Sequence, residues 1–589
     1  MDEERASSSG ISNPYDRDSG FDVTSREAMY KNKGMTSDAM RKRREEACAE
    51  IRRAKRYDDL NKRRQIDLAP TNAEEEPGRE LEVNVRSCSA WSQVIAMAGH
   101  EQIDSFDFHF INYVECVFSF QLLLVFEGFE AGNGTDERIV CKLCGECAEE
   151  VEEALDFYRR RFRTSNASDV ADEIVALNLI PRIVDLLGTG PTLNIRRTAT
   201  HVVGAIVSIC STHTEAIVKS GAVPHLVDLI GNPDREMREL TLFALGNIAA
   251  ECCEYRDLCI AYGMAQKMTM MPDGHQFLCS TMTLMEARCT VWAASNLCRG
   301  KDPPVDLEKI AMLLPLFNEA LYSNDTLIIS DACRAFGRLL DAAPESSYEY
   351  ILKPSTVECL VEHMGNSNSK ISLAALLAVG NIVSGDDEQT QSVLNCTNAL
   401  NHIHRLLLDG EQKTKREVCW VLSNIAAGTT SQIQTIFDAG IIPSLIQILK
   451  TETFQVRSEA CWVIANAITG GNREHVSRIV REGALIPLSD MLTVMDCSVV
   501  VVVLKTLAEI LECGEYCKVD GQNPYAVRLE ELNVIDKLEF LMLSANTEIF
   551  FKACAIMEKY YLREDDEQDD TNNDNGVVRN HKLNHFNFS

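Results

Sequence analysis

The feature that most restricts what this chain can fold into is an internal repeat of about 42 residues. Cys419–Gly428 reads CWVLSNIAAG, and 42 residues later Cys461–Gly470 reads CWVIANAITG. Taking Trp420 as a phase marker, the equivalent positions are His201, Phe243, Trp292, Arg334, Leu377, Trp420, Trp462 and Leu504, separated by 42, 49, 42, 43, 43, 42 and 42 residues. Four residues after each stands Ala205, Asn247, Asn296, Arg338, Asn381, Asn424, Asn466 or Ala508, asparagine in five of the eight. A unit this small cannot bury its own apolar face. Stacked copies can, so a chain of 589 residues with this period predicts a quasi-linear array rather than one compact core.

A second signal runs in phase with the first. LNLIP ends at Pro181, SGAVP at Pro224, AGIIP at Pro443 and EGALIP at Pro487. A Gly or Asn followed by apolar residues and proline stops one helix and starts the next. Short amphipathic runs such as PHLVDLI and PSLIQIL follow. Each unit therefore reads as two or three helices without a strand pattern, the size of an armadillo or HEAT unit. About ten units run from roughly 150 to 562, irregular at the ends, and the 49-residue step holds an insertion around Met268–Phe277.

Charge divides the chain. The net charge is -30, which argues against nucleic acid and for basic partners. Yet Arg41–Arg64 carries 11 Lys/Arg against 5 Asp/Glu, leaving about -36 on the remainder. A basic arm on an acidic body invites the arm to bind the body. The 22 cysteines are scattered through apolar helical patterns, and the polar start MDEERASSSG has no secretory character; both suggest a reducing compartment. The apolar run Val117–Phe126 is too short to span a bilayer, so no membrane insertion is expected.

The repeated Trp–Asn pair lies at i and i+4, on one helix face. A plain explanation is tryptophan as core and asparagine as a buried hydrogen-bonding device. Five asparagines on one face, with three tryptophans and a phenylalanine, favour an exposed ladder instead. Asparagine amides would pair with the main chain of an extended peptide. Indole faces would hold the stems of Lys or Arg, each contact giving roughly 0.5–2 kcal/mol. Acids share the phase. Glu417 and Glu459 precede Trp420 and Trp462 by three residues, Asp331 precedes Arg334 by three, and Glu251 follows Asn247 by four.

These residues resemble the importin alpha family, adaptors that bind nuclear localisation signals. The resemblance covers about 26–64 and 150–562 and is carried by NLCRGKDPP, VGNIVSG, CWVLSNIAAG and NPYAVRLEELNVIDKLEFL. The fold it implies is all-α: an armadillo-repeat right-handed superhelical solenoid of about ten repeats with a basic N-terminal helical arm. It implies a major site for basic peptides at Phe243, Asn247, Glu251, Trp292, Asn296 and Asp331. A minor site would use Asn381, Glu417, Trp420, Asn424, Glu459, Trp462 and Asn466. The first major-site rung departs from the family pattern, with His201 and Ala205 in place of Trp and Asn and Phe243 in place of a second Trp. Arg334 and Arg338 stand where the family has an aromatic pair, and Leu377 replaces an arginine. A weakened major site and a fuller minor site are expected.

The arm's basic clusters resemble the family's importin-beta-binding segment: Arg41, Lys42, Arg43 and Arg44, then Arg52, Arg53, Lys55 and Arg56, then Lys62, Arg63 and Arg64. The last cluster corresponds to one that occupies the groove as a pseudo-substrate. The implied organisation is a disordered N-terminus (1–25), an importin-beta-binding helix (26–64), a linker (65–87), an atypical insertion (88–150), armadillo repeats (151–562) and an acidic disordered tail (563–589). AIMEKYY and the acidic tail resemble the region where the family meets the nuclear export receptor that recycles it. Expected partners are therefore importin beta, cargo proteins with basic localisation signals and that export receptor, with no direct nucleic acid and shuttling between cytoplasm and nucleus through the nuclear envelope and pore. The competing class is an armadillo scaffold of the adhesion or signalling kind.

No enzyme is expected, since no catalytic motif is present. CKLCGEC (Cys141, Cys144, Cys147) offers three thiolates where structural zinc needs four ligands, so no metal or other cofactor is expected either.

Overall fold

The computed structural model describes residues 137–270, 282–300, 303–342 and 347–561. The expectations for the N-terminus, basic arm, linker, most of the insertion and the acidic tail lie outside the described residues.

Among the described residues the chain is helical, with one isolated antiparallel bridge between Val519 and Gln522. Ten long helices stack in chain order, each packed along the next. They are α1 (Ala148–Thr164), α2 (Leu193–Val207), α3 (Arg235–Glu251), α4 (Leu284–Leu297), α5 (Thr326–Ala342), α6 (Ser369–Ile382), α7 (Gln412–Ala426), α8 (Phe454–Gly470), α9 (Cys497–Glu515) and α10 (Thr547–Tyr560). Shorter helices join them: Thr430–Asp438 packs on α7 and Ile441–Thr451 on α8. The stacked helices are apolar on most sides because they have neighbours on most sides. In α8, Val456, Ala460, Cys461, Val463, Ile464 and Ile468 are all buried. This is an all-α armadillo solenoid.

The turn signals read from the sequence sit where the backbone needs them. Asn178 (φ 52°), Gly221 (80°), Gly440 (68°) and Gly483 (92°) are all left-handed, as are Gly263 (85°) and Asn533 (56°), which the proline pattern did not mark. Each separates two short helices at nearly a right angle of chain direction, a conformation that costs other residues about 1 kcal/mol or more. Pro181, Pro224 and Pro443 fall in the first turn of helices beginning at Ile180, Ala222 and Ile441, where a missing N–H is harmless.

A second joint recurs between repeats. Asp234 caps α3 by accepting from Met237 N, and it also receives Arg197 Nη2 of α2 at 2.8 Å. Asp325 accepts from Leu327 N and Ile328 N at the start of α5 and receives Arg288 Nη2 of α4 at 2.5 Å. Both arginines stand four residues ahead of a phase marker. Each pair couples a helix start to the helix before it.

Buried cysteines serve as small apolar filler. Burial pushes the thiols of Cys259, Cys298 and Cys461 up to about 12, so they stay protonated. The array begins at Ala148, and the preceding helix Glu137–Cys144, from the stretch read as an insertion, packs on α1. Arg182 ties that start down by donating to the carbonyls of Leu143 and Gly145 at 3.1 and 2.8 Å. The insertion expected around Met268–Phe277 begins in the helix Met264–Thr269; residues 271–281 are outside the described ones.

Candidate functional site

The phase-marker face lies in the seam where successive long helices meet. Each marker's ring crosses the preceding helix at the residue one before its asparagine. A Cβ added at Gly246 of α3 would sit 2.4 Å from the Trp292 ring, and one at Gly380 of α6 would sit 1.9 Å from the Trp420 ring. Only glycine lets those indoles lie this close. Trp292 and Trp420 are accordingly 5% and 7% exposed. Ser423 takes the glycine's place before Trp462, and Trp462 is half-buried. The signal was available: a glycine inside a helix costs about 1 kcal/mol and needs a reason. VGNIVSG contains one, and it was not read as a bed for a ring.

The asparagines are joints of the fold. Asn296 Nδ2 donates to Gly246 O at 3.0 Å, Asn381 Nδ2 to Gly337 O at 2.7 Å and Asn466 Nδ2 to Ser423 O at 2.9 Å. In each case the acceptor is the carbonyl of the ring-bearing position on the preceding helix. The expectation that core positions have no need of a repeated asparagine is therefore corrected. A carbonyl has a second lone pair after its helical bond, and a carboxamide is short enough to reach it across the seam. Two rungs differ. Asn247 Nδ2 donates to Phe243 O of its own helix at 3.2 Å, leaving Oδ1 enclosed without a partner; Asn424 Nδ2 is likewise enclosed and unpartnered.

The middle rung is built from arginine. Arg338 Nη1 donates to Ser295 O at 2.6 Å, the bond asparagine makes elsewhere, and reaches Ser295 Oγ at 3.1 Å and Asn296 Oδ1 at 3.0 Å. Burial, with Arg299 and Arg334 nearby, holds its pKa well below the usual arginine value. Arg334 Nη1 donates to Asp331 Oδ1 at 2.8 Å. The carboxylate expected to meet a ligand cation thus already holds the chain's own guanidinium.

The other expected groups are placed as follows. Phe243 stacks on Trp292 with centroids 6.0 Å apart and planes at 27°. An alkyl stem between two flat faces needs roughly 7–8 Å, so this slot is narrow as it stands. Glu417 is buried one turn below Trp420 and accepts from Arg416 Nη2 at 3.3 Å. Glu251 and Glu459 are half-buried at the ends of their turns on α3 and α8. At the first rung both ring nitrogens of His201 are enclosed without a hydrogen-bond partner. Burial, helped by Arg163 and Arg159, pulls its pKa down to about 4, so the ring is neutral at pH 7. Among the described residues no group of three His, Cys, Asp or Glu is assembled for a metal ion, and Cys141, Cys144 and Cys147 are exposed free thiols. No single described helix is long and apolar enough to cross a membrane.

The stacked helices and their ladder define an armadillo-repeat protein, and comparison with known proteins narrows the class. A family described as the importin beta binding domain matches residues 26–106, the armadillo/beta-catenin-like repeat matches 210–250 and 429–468, and the atypical Arm repeat matches 523–575. Importin subunit alpha-1b of Oryza sativa subsp. japonica is 30% identical over 412 residues, 69% of this chain and 76% of its own length. Importin subunit alpha-3 of Arabidopsis thaliana is 33% identical over 407 residues, 68% and 75% of the two chains. The fold is also that of an engineered protein of known crystal structure, with a TM-score of 0.63 at 24% identity over 72% of this chain and 98% of that one. The chain belongs to the importin alpha family of nuclear import adaptors.

Proposed function

We propose that the seam binds extended Lys/Arg-rich nuclear localisation signals and that residues 26–64 link the loaded adaptor to importin beta. The observation that carries the peptide reading is the pair of enclosed, unpartnered amide atoms, Asn247 Oδ1 and Asn424 Nδ2. An unsatisfied buried polar atom costs about 1–3 kcal/mol, and a peptide main chain supplies both the N–H and the C=O that would complete the pair. The two stand on either side of the Arg334–Arg338 rung, next to the rings of Phe243 and Trp420. Phe243, Asn247, Glu251, Trp292, Asn296 and Asp331 form the proposed major site. Asn381, Glu417, Trp420, Asn424, Glu459, Trp462 and Asn466 form the minor one.

The middle rung favours the minor site as the stronger. Arg334 places a fixed cation beside Asp331, and Arg338 occupies Asn296 Oδ1, so this part of the major site offers a basic peptide less. The proposal extends to the arm. Lys62, Arg63 and Arg64 compete with cargo for the acidic seam until importin beta takes the helix that carries them. A nuclear export receptor returns the adaptor, which shuttles between cytoplasm and nucleus. No catalytic role is proposed.

The test is a titration of one-cluster and two-cluster basic peptides against the full chain and against the chain lacking residues 1–65. Truncation tightens binding if the arm competes; equal affinities dispose of the competition. Replacing Trp420 and Trp462 by alanine weakens binding more than replacing Phe243. The opposite order would put the stronger site at the N-terminal half.

A further inference from the structure

Outside the seam, one cluster stands out among the polar groups that join the short helices. The helix Ser211–Lys219 follows α2, and Cys210 is its N-cap. Cys210 Sγ lies 3.0 Å from His213 Nδ1 and 3.0 Å from Thr212 Oγ1. His213 is buried, and its other nitrogen, Nε2, lies 2.8 Å from Asp172 Oδ1 on the neighbouring helix Ala167–Ala176. A carboxylate only accepts, so Nε2 carries the ring proton and donates it. That leaves Nδ1 of the neutral ring as an acceptor for the thiol S–H. Thiol, base and orienting carboxylate are in sequence, each within hydrogen-bond reach of the next.

The same slot is filled by other residues elsewhere, which shows what its structural role requires. Gln432, three residues after the cap Thr429, reaches back to Gln391 Oε1 at 3.3 Å; His475, three after Asn472, lies 2.7 Å from Gln434 Oε1. The joint thus needs a polar side chain at the third position and a partner one repeat earlier. It does not need sulfur: Thr and Asn are the better caps. Nor does it need a carboxylate as the partner, since glutamine serves twice. In this repeat alone among the three, the cap is a nucleophile and the partner an anion.

We propose that Cys210 is a nucleophilic thiol that takes soft electrophiles, with His213 as its base and Asp172 as the positioning residue that sets the tautomer of His213. Three features favour the thiolate: the N-terminus of a nine-residue helix, the adjoining imidazole and the Thr212 hydroxyl as a donor. Cys210 is half-exposed, within reach of a small reagent. With iodoacetamide the thiol proton passes to His213 Nδ1, Sγ attacks the methylene carbon, and the S–C bond forms as the C–I bond breaks. Iodide leaves with the bonding pair, and the imidazolium returns its proton to water.

The experiment is a time course of iodoacetamide labelling of the full chain, read cysteine by cysteine by peptide mass spectrometry from pH 6 to 9. Cys497, exposed in the first turn of α9 without a histidine beside it, is the internal reference. At pH 7 Cys210 is expected to label about tenfold faster than Cys497, with its rate falling off at lower pH than that of the reference. His213→Gln keeps the joint, because Gln432 makes it elsewhere, and is expected to bring Cys210 within about threefold of Cys497. Asp172→Asn, a change at an exposed side chain, is expected to slow labelling less and shift the pH profile. Labelling of Cys210 no faster than Cys497, or a rate unchanged in His213→Gln, overturns the proposal and leaves a structural cap. The peptide-binding reading is not used in this inference and is untouched by either result.

Discussion

Gly380 and Gly337 hold the same position on successive helices, yet their surroundings differ. At Gly380 a Cβ would run into the Trp420 ring at 1.9 Å, whereas at Gly337 the nearest atom is Ala378 Cα at 3.7 Å. Gly380→Ala is expected to lower stability by about 1–3 kcal/mol, because the indole must leave its bed. Gly337→Ala is expected to be neutral or to stabilise by up to about 1 kcal/mol, from helix propensity alone. Urea unfolding of the two variants, followed by indole fluorescence, checks both; equal effects would refute the ring-bed account. His201 carries a pH dependence of definite sign. Its pKa is lowered from 6.5 to about 4 in the folded chain, so folding favours the neutral ring. That contribution is complete above pH 6.5 and is lost as the pH falls toward 4, by about 3 kcal/mol in total. His201→Phe is expected to lose less stability than the parent between pH 7 and 5, measured by the urea midpoint at each pH.

At the scale of the helix, the ladder separates two uses of one residue type. Asn381 joins α6 to α5 through Gly337 O, while Asn424 Nδ2 on α7 reaches no neighbour. Asn381→Ala is expected to cost about 1–3 kcal/mol of stability, since it removes a buried inter-helix bond. Asn424→Ala is expected to change stability by less than about 0.5 kcal/mol and to weaken binding of a basic peptide. Denaturation and peptide titration on the same two variants distinguish them, and a large stability loss in Asn424→Ala would mean its amide has a role in the fold. Arg338 shows that the joint tolerates substitution: a guanidinium reaches Ser295 O as a carboxamide does in other repeats. From the sequence, Arg334 and Arg338 read only as positive charge moving toward an acidic surface. Their partners show instead an arginine that closes a joint and an arginine that pairs with Asp331.

Across the whole molecule, the charge asymmetry and the repeat act together. A body near -36 and an arm of +6 within 24 residues attract each other at a range set by ionic strength. The gain in basic-peptide affinity expected on removing residues 1–65 should therefore shrink as salt is raised from 50 to 500 mM, in a titration at matched pH. A gain that persists unchanged at high salt would mean the arm acts by other than charge. The period of about 42, the left-handed Gly and Asn turns and the apolar helices were enough by themselves to specify an all-helical stacked array, because each is a local requirement repeated in phase. The phase markers were legible for the same reason. The exposure of the ladder was not. Whether an asparagine amide faces a ligand or a neighbouring carbonyl depends on how far apart two helices sit, and that distance is set by residues such as Gly246 and Gly380 on the other helix. The thiol, imidazole and carboxylate of Cys210, His213 and Asp172 are separated by up to 41 residues in the chain and met only through stacking. Sequence determined the repeated unit, its turns and its charge; tertiary structure decided which polar atoms the stack satisfies and which it leaves for something else.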